Sequence, residues 1–348
     1  MIFGHKEGYP QPRIFRAKPI EASHTFTDEF GRKRVSYYKL PPTSPASLYD
    51  TNIYRPFDLL LRDARFIKDR YGMEVKLGRK DAQDIKEAAI ERPNPVNAAE
   101  AAIVLREELA RYPSSYIKHC RVTRVRLVSA YKMPRKGKAD QMHEYGGAAF
   151  REGPIYIVHY PNDILYTGGT MHHELWHRSD QNSSRHLGVL GLAPIIRWLW
   201  IRNNPPSAYL GDKYWDLTDK EIRGLDIRGF AIPYGRANYD EDRATVAEGL
   251  MNYTAPFFYR CKGDPVLARK LKLTMFDYWL KSGGLMNRNF FDDLSRGKVN
   301  GEAYWDSKLG QKPEASTPFY ARPSVLVAAS ILLSVGLALR ENQKVKIK

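Results

Sequence analysis

The residues best equipped for chemistry lie together at His173-Glu174-Leu175-Trp176-His177. On an α-helix, positions four apart stand one turn above each other, so both imidazoles project from the same face. Two neutral imidazoles so placed can hold a zinc ion, and a glutamate between them can reach water at that ion. The chemistry implied is metal-assisted hydrolysis of a peptide bond. In it Glu174 accepts a proton from the attacking water and returns it to the leaving amine.

A catalytic zinc needs about three protein ligands and an open position, so a third donor must come from elsewhere. One class of such sites has a histidine six residues beyond the second ligand, but that position is Ser183, and His186 falls at the wrong spacing. Downstream carboxylates are better candidates. The stretch 238–251 reads as a helix carrying Glu241 and Glu248. Seven residues apart, they share nearly one face, so spacing does not choose between them. His172 sits about 100° round the helix from His173 and suits packing or support of a ligand. Asp180, one turn past His177, could accept the outer ring N–H of a zinc-bound histidine.

Two stretches resemble the zinc-binding motifs of the anthrax lethal factor catalytic domain, a gluzincin-type metallopeptidase family. They are His173-Glu174-x-x-His177-x-x-Asp180 and Tyr234-Gly235-Arg236-Ala237-Asn238-Tyr239-Asp240-Glu241. The resemblance implies Glu241 as third ligand of one catalytic Zn²⁺, with Glu248 left as the alternative. It implies Tyr234 as the phenol that stabilises the reacting oxygen. It also implies a zincin-like α+β fold and a toxin-like character. Two departures stand out: Trp176 occupies the family's glycine position, and Thr245 stands where an acidic residue is usual.

The elements that must position these groups follow from pattern. Residues 1–58 are rich in Pro, Tyr and Arg, with Pro10, Pro12, Pro19, Pro41, Pro42 and Pro45 arguing for an extended arm without regular pairing. The catalytic domain spans 59–322. Within it, helical periodicity covers 59–71 and 97–112, strands are expected within 121–131 and 154–160, and the basic run 132–138 reads as a loop. From Asp163 onward the pattern is mainly helical. The expectation is an α+β fold in which a small mixed sheet packs on an active-site helix, with a mainly helical C-terminal part. Residues 323–348 read as an apolar helix with a basic tail. Its apolar run, 324–339, falls short of the roughly 20 residues that cross a bilayer, so burial is favoured over membrane contact.

Composition narrows the partners. Lys and Arg total 55 against 39 Asp and Glu, a net charge of +16 that favours acidic partners. Two cysteines, Cys120 and Cys261, exclude a disulfide scaffold. The first residues, Met1 to Gly8, show no apolar run of the Sec-signal kind, so the expectation is a cytoplasmic protein or one exported by a signal-independent route. The stretch after Tyr253 interleaves aromatics with Arg260, Arg269, Lys270 and Lys272. Helix packing explains it, and a cationic wall selecting acidic protein is the functional alternative. No nucleic-acid-binding signature accompanies it. The leading reading is a zinc metalloprotease acting on a protein or peptide substrate. The competing one is a basic nucleic-acid- or membrane-associated binding protein on a zincin fold with little proteolysis.

Overall fold

The computed structural model describes residues 20–27, 33–40, 56–78, 88–135, 138–161, 163–186, 192–204, 206–299 and 301–309. The apolar run 324–339 lies outside them. Among the described residues no helix is long and apolar enough to cross a membrane.

Where the arm is described, it departs from its expected unpaired form; residues 1–19, 28–32 and 41–55 lie outside the described residues. Strands β1 (Ile20–Thr27) and β2 (Lys33–Leu40) make an antiparallel hairpin, with Ile20 opposite Leu40. It fits between Pro19 and Pro41, in a stretch without proline, where every residue keeps a backbone donor.

Helix α1 (Pro56–Tyr71) leads into β3 (Glu74–Leu77) and β4 (Ala89–Glu91). Helix α2 (Pro95–Ala110) starts two residues earlier than its periodicity suggests. Pro95 occupies its first turn, where a missing N–H costs nothing, and the Asn94 side chain caps it by accepting from Asn97 N at 2.8 Å. Helix α3 (Ser114–Cys120) follows, then β5 (Arg124–Val128) and β6 (Ala130–Arg135). The basic run expected as a loop is instead largely strand: β6 pairs with β7 (Lys138–Glu144). Pro134 is accommodated because the register shifts between Pro134 and Arg135, a bulge where a donor is not required.

Strands β8 (Gly147–Ala149) and β9 (Ile155–Val158) complete a sheet ordered β3-β5-β9-β8, beside a second one ordered β4-β6-β7. In the first sheet β3, β5 and β9 run parallel, and the edge strand β8 is antiparallel to β9, with Gly147 opposite Ile157. Every residue of β9 is buried, as expected for a strand covered on both faces.

The rest is helical: α4 (Ile164–His186), α5 (Leu192–Asn203), α6 (Asp219–Arg223), α7 (Tyr239–Asn252), α8 (Thr254–Gly263), α9 (Pro265–Lys281), α10 (Arg288–Ser295) and α11 (Glu302–Leu309). Two 3₁₀ turns matter to the site, Gly211–Asp216 and Pro233–Arg236. The arrangement is α+β, mostly helical with small sheets. Helix α4 is its axis, packing against α2, α3, α7, β8 and β9. One hydrophobic core joins α1 and α2 (Leu59, Ile67, Leu105) through α4 and α7 (Leu175, Val246) to α10 and α11 (Phe291, Trp305).

Candidate metal centre

Helix α4 carries His173 and His177 one turn apart, and α7 crosses it to bring up Glu241. The position of Glu241 is set locally. Asn238 caps α7, its side-chain oxygen accepting from Asp240 N at 2.9 Å and Glu241 N at 3.0 Å, so Glu241 lies in the first turn. The next two residues lock that turn. Asp242 is fully buried among Trp200 Nε1 (2.8 Å), Tyr209 OH (2.7 Å) and Lys270 Nζ (2.5 Å). Arg243 donates to Asp180 and, at 2.8 Å, to Asp277.

The ligand atoms converge. His173 Nε2 lies 2.9 Å from Glu241 Oε2, His177 Nε2 lies 3.3 Å from the same oxygen, and the two nitrogens are 3.1 Å apart. Metal bonds of about 2.0–2.1 Å at tetrahedral angles separate neighbouring donors by about 3.3 Å, so this triangle is close to the size a zinc ion requires. His173, His177 and Glu241 are the group that can hold a metal among the described residues. Two imidazole nitrogens facing each other and a carboxylate are a poor hydrogen-bonding set but a good ligand set for zinc.

Glu248 takes a different place. Its carboxylate meets Nδ1 of His173 at 3.1 Å, behind the ring, one edge of the imidazole facing Glu241 and the other Glu248. That is the position of a carboxylate that orients a ligand histidine and raises its basicity. Gly169 makes room for it: a Cβ there would come within 2.9 Å of Glu248 Oε1 and 3.0 Å of Asn252 Nδ2.

Burial works against a charged His173, but its hydrogen bonds to the accepting carboxylates of Glu241 and Glu248 more than offset it and hold the ring well above its ordinary pKa. Burial likewise opposes ionisation of Glu241, yet hydrogen bonds and charge from His173 and His177 hold that carboxyl well below its usual range. Glu174 is buried, and desolvation, opposed by the two histidines and reinforced by Glu241 and Glu248, raises it to about 6. That is a value suited to a general base. Strand β8 closes over it: a Cβ on Gly147 would lie 2.8 Å from Glu174 Cγ.

Tyr234 stacks on His173, with ring centroids 5.9 Å apart and planes at 30°. Desolvation and the Glu241 and Glu174 charges raise its phenol well above the ordinary value, so it stays protonated and able to donate. Its turn is tied down by Leu210 N to Arg236 O (2.7 Å) and Gly211 N to Ala237 O (3.0 Å). Trp215 then links Tyr234 (5.8 Å) to Tyr145 (5.9 Å) and His143 (5.0 Å), forming an aromatic rim that sequence spacing gave no means of finding.

His172 points away from the triangle, with Nε2 2.8 Å from Glu108 and Nδ1 2.8 Å from Tyr112 OH. Burial opposes the Glu108 charge, but Arg111 and His172 outweigh it and keep the carboxyl below its ordinary pKa. Asp180 is taken up by Arg243 and by Lys281 Nζ at 3.5 Å, so its partners are cations, and the carboxylate on His173 Nδ1 is Glu248. Trp176 has a use as well: Arg243 lies 5.4 Å and Lys281 4.4 Å from its ring, placing two buried cations on one indole. Thr245 caps no ligand. Its hydroxyl donates to Asp242 O at 3.0 Å.

No protein-family model matches the chain, and a search of curated proteins found no match. Among solved structures, the chain is similar to a protein from Bacteroides caccae provisionally assigned as a zinc-binding metallo-peptidase. Identity is 14%, the alignment covers 72% of this chain and 93% of that one, and the TM-score is 0.45. The likeness is loose, and the geometry of His173, His177 and Glu241 carries the functional argument instead.

Proposed function

We propose that the chain is a zinc-dependent metallopeptidase that hydrolyses peptide bonds of a protein substrate. The observation that carries the reading is the convergence of His173 Nε2, His177 Nε2 and Glu241 Oε2 to within 2.9–3.3 Å of one another. Beside them on the same helix stands a buried carboxyl raised to about 6. His173, His177 and Glu241 would hold the zinc, which supplies a Lewis acid and makes water nucleophilic near neutral pH.

Glu174 takes the proton from the attacking water and delivers it to the leaving amine. Burial favours the protonated form of Glu174, which suits it to hold the proton between the two transfers. Tyr234 donates its O–H to the carbonyl oxygen as negative charge develops there. Glu248 fixes the orientation of His173. The tyrosine turn, the capping Asn238 and Glu241 together support a place for the chain near the lethal factor group of gluzincins. The buried, raised Glu174 favours this catalytic reading over a fold used for binding alone, because a binding surface has no need of a poised base.

The test combines metal analysis of the purified chain with sequencing of the new termini it creates in a proteome. About one zinc per chain, and cleavages lost in Glu174→Gln while its zinc is retained, are expected. A chain without zinc, or cleavages undiminished in the variant, refutes the proposal.

A further inference from the structure

The fold divides the cations of the aromatic and basic stretch after Tyr253. Arg260 turns inward onto the carbonyls of Phe230 and Ala231. Lys270 is fully buried, 2.6 Å from Gly229 O and 2.5 Å from Asp242. These two belong to the interior. Arg269 and Lys272 face outward and, with Arg202, line a groove of about 540 Å³ between α5 and α9. Leu199, Leu273 and Asn203 complete its lining.

The two helices contribute in the same way. On α5, Leu199 and Arg202 are three apart, and on α9, Arg269 is followed by Lys272 and Leu273, so each helix presents a half-buried leucine and exposed positive charge on one face. The arginines are steadied by neutral groups. Arg269 Nε donates to Asn203 Oδ1 at 2.6 Å, and Arg202 lies 4.8 Å from the Trp198 ring. Neither contact cancels a charge, and no carboxylate lines the groove among the described residues.

The geometry points to a docking groove for an acidic peptide segment that carries apolar side chains. Leu199 and Leu273 receive the apolar side chains, while Arg202, Arg269 and Lys272 receive carboxylates, the arginine forks suiting them in particular. A volume of about 540 Å³ falls in the range of roughly 300–1,000 Å³ found for pockets that take drug-sized ligands. A membrane surface fits less well. It calls for protruding apolar groups, and the large exposed ones among the described residues, Leu61, Met142, Tyr166, Ile232 and Tyr259, lie outside this groove. Single-stranded nucleic acid stacks its bases on rings, and among the described residues no ring lines the groove. The net charge of +16 draws an acidic segment in from solution. This site is separate from the metal centre and does not depend on its hydrolytic role.

Fluorescence anisotropy of the full chain with a labelled peptide of alternating Glu and Leu tests it, peptide integrity being checked by mass spectrometry. Saturable binding is expected, weakened about tenfold or more in Arg269→Glu and in Lys272→Glu, since each reverses a charge beside a carboxylate. Lys262→Glu, on an exposed cation of α8 outside the groove, should leave it within about twofold. The same peptide with Gln in place of Glu should not bind measurably. Equal binding of the Gln peptide, or indifference to both groove variants, overturns the proposal. So does groove-dependent capture by phosphatidylserine vesicles in the absence of peptide binding. Both substitutions are at exposed positions, and unchanged thermal unfolding of either variant suffices for the comparison.

Discussion

Gly147 offers a sharp perturbation of the metal centre that touches no ligand. A Cβ built there lies 2.7 Å from Thr170 Cγ2, 2.8 Å from Glu174 Cγ and 2.8 Å from Tyr156 O. Comfortable contact begins near 3.5 Å, so the methyl of Gly147→Ala is about 0.7 Å too close on three sides. Thr170 and Glu174 are one turn apart on α4, and the third neighbour is backbone of β9, to which β8 is paired through Gly147 and Ile157. Either β8 lifts away from α4 or Glu174 swings aside. Overpacking of this kind costs about 1–3 kcal/mol, or a fall in Tm of roughly 2–10 °C for a domain of this size. A base displaced by a large fraction of an ångström can lose up to about 100-fold in rate, so a 10- to 100-fold fall in kcat/KM is expected with zinc content intact. The assay is hydrolysis of a peptide taken from the proteome screen, alongside metal analysis and thermal unfolding. Full activity together with an unchanged Tm refutes the close packing of β8 on Glu174.

Glu241→Ala should remove most of the zinc affinity, whereas Glu248→Ala, which loses only the carboxylate behind His173, should weaken it about 10- to 100-fold. Competition against a chromophoric chelator measures both, and the reverse order would show that the two glutamates have exchanged places. Tyr234→Phe should keep zinc and lower kcat by about 100- to 1,000-fold, as expected for a lost donor to developing charge; full turnover would reduce the phenol to packing. Glu174, raised to about 6, is the group expected to set the acid limb of kcat/KM. A nearby cation can only lower that value, so the midpoint should lie at or below about 6, and one above 7 would assign the limb to another group. In the metal-free chain the same shift has the opposite sense for folding. A carboxyl raised from 4.5 to about 6 binds its proton more tightly when folded. Its stabilising contribution is therefore full below pH 4.5 and disappears as pH rises through about 6.

His173, Glu174 and His177 were legible because their spacing is a property of one helix, independent of what surrounds it. The choice between Glu241 and Glu248 was not open to periodicity, since both share a face of α7. What separates them is depth along α4: one reaches the Nε2 side of His173 and the other its Nδ1 side. The basic run 132–138 was misread because strand pairing is non-local. Nothing within Lys132-Met133-Pro134-Arg135 announces that β4 and β7 will flank it. Strand β8 is three residues of glycine and alanine, too short and too plain to carry an alternation. Asp180 looked like a partner for a ligand histidine because sequence shows its distance from His177 but not that Arg243, on another helix, arrives first. The cations after Tyr253 could not be sorted into buried and exposed without knowing that Asp242 waits for Lys270 in the interior.

One turn of α7 aims three successive side chains at three different neighbours: Glu241 at the paired imidazoles, Asp242 at Lys270, and Arg243 at the Asp180–Asp277 pair. The carboxylate proposed as the third ligand is thus held in place by groups that never touch the candidate metal site. If the three residues hold zinc as proposed, loading and stripping of the metal become events at a finished socket, without refolding. Such a chain could lose its ion to a chelator, keep its shape, and regain competence as fast as the ion diffuses back.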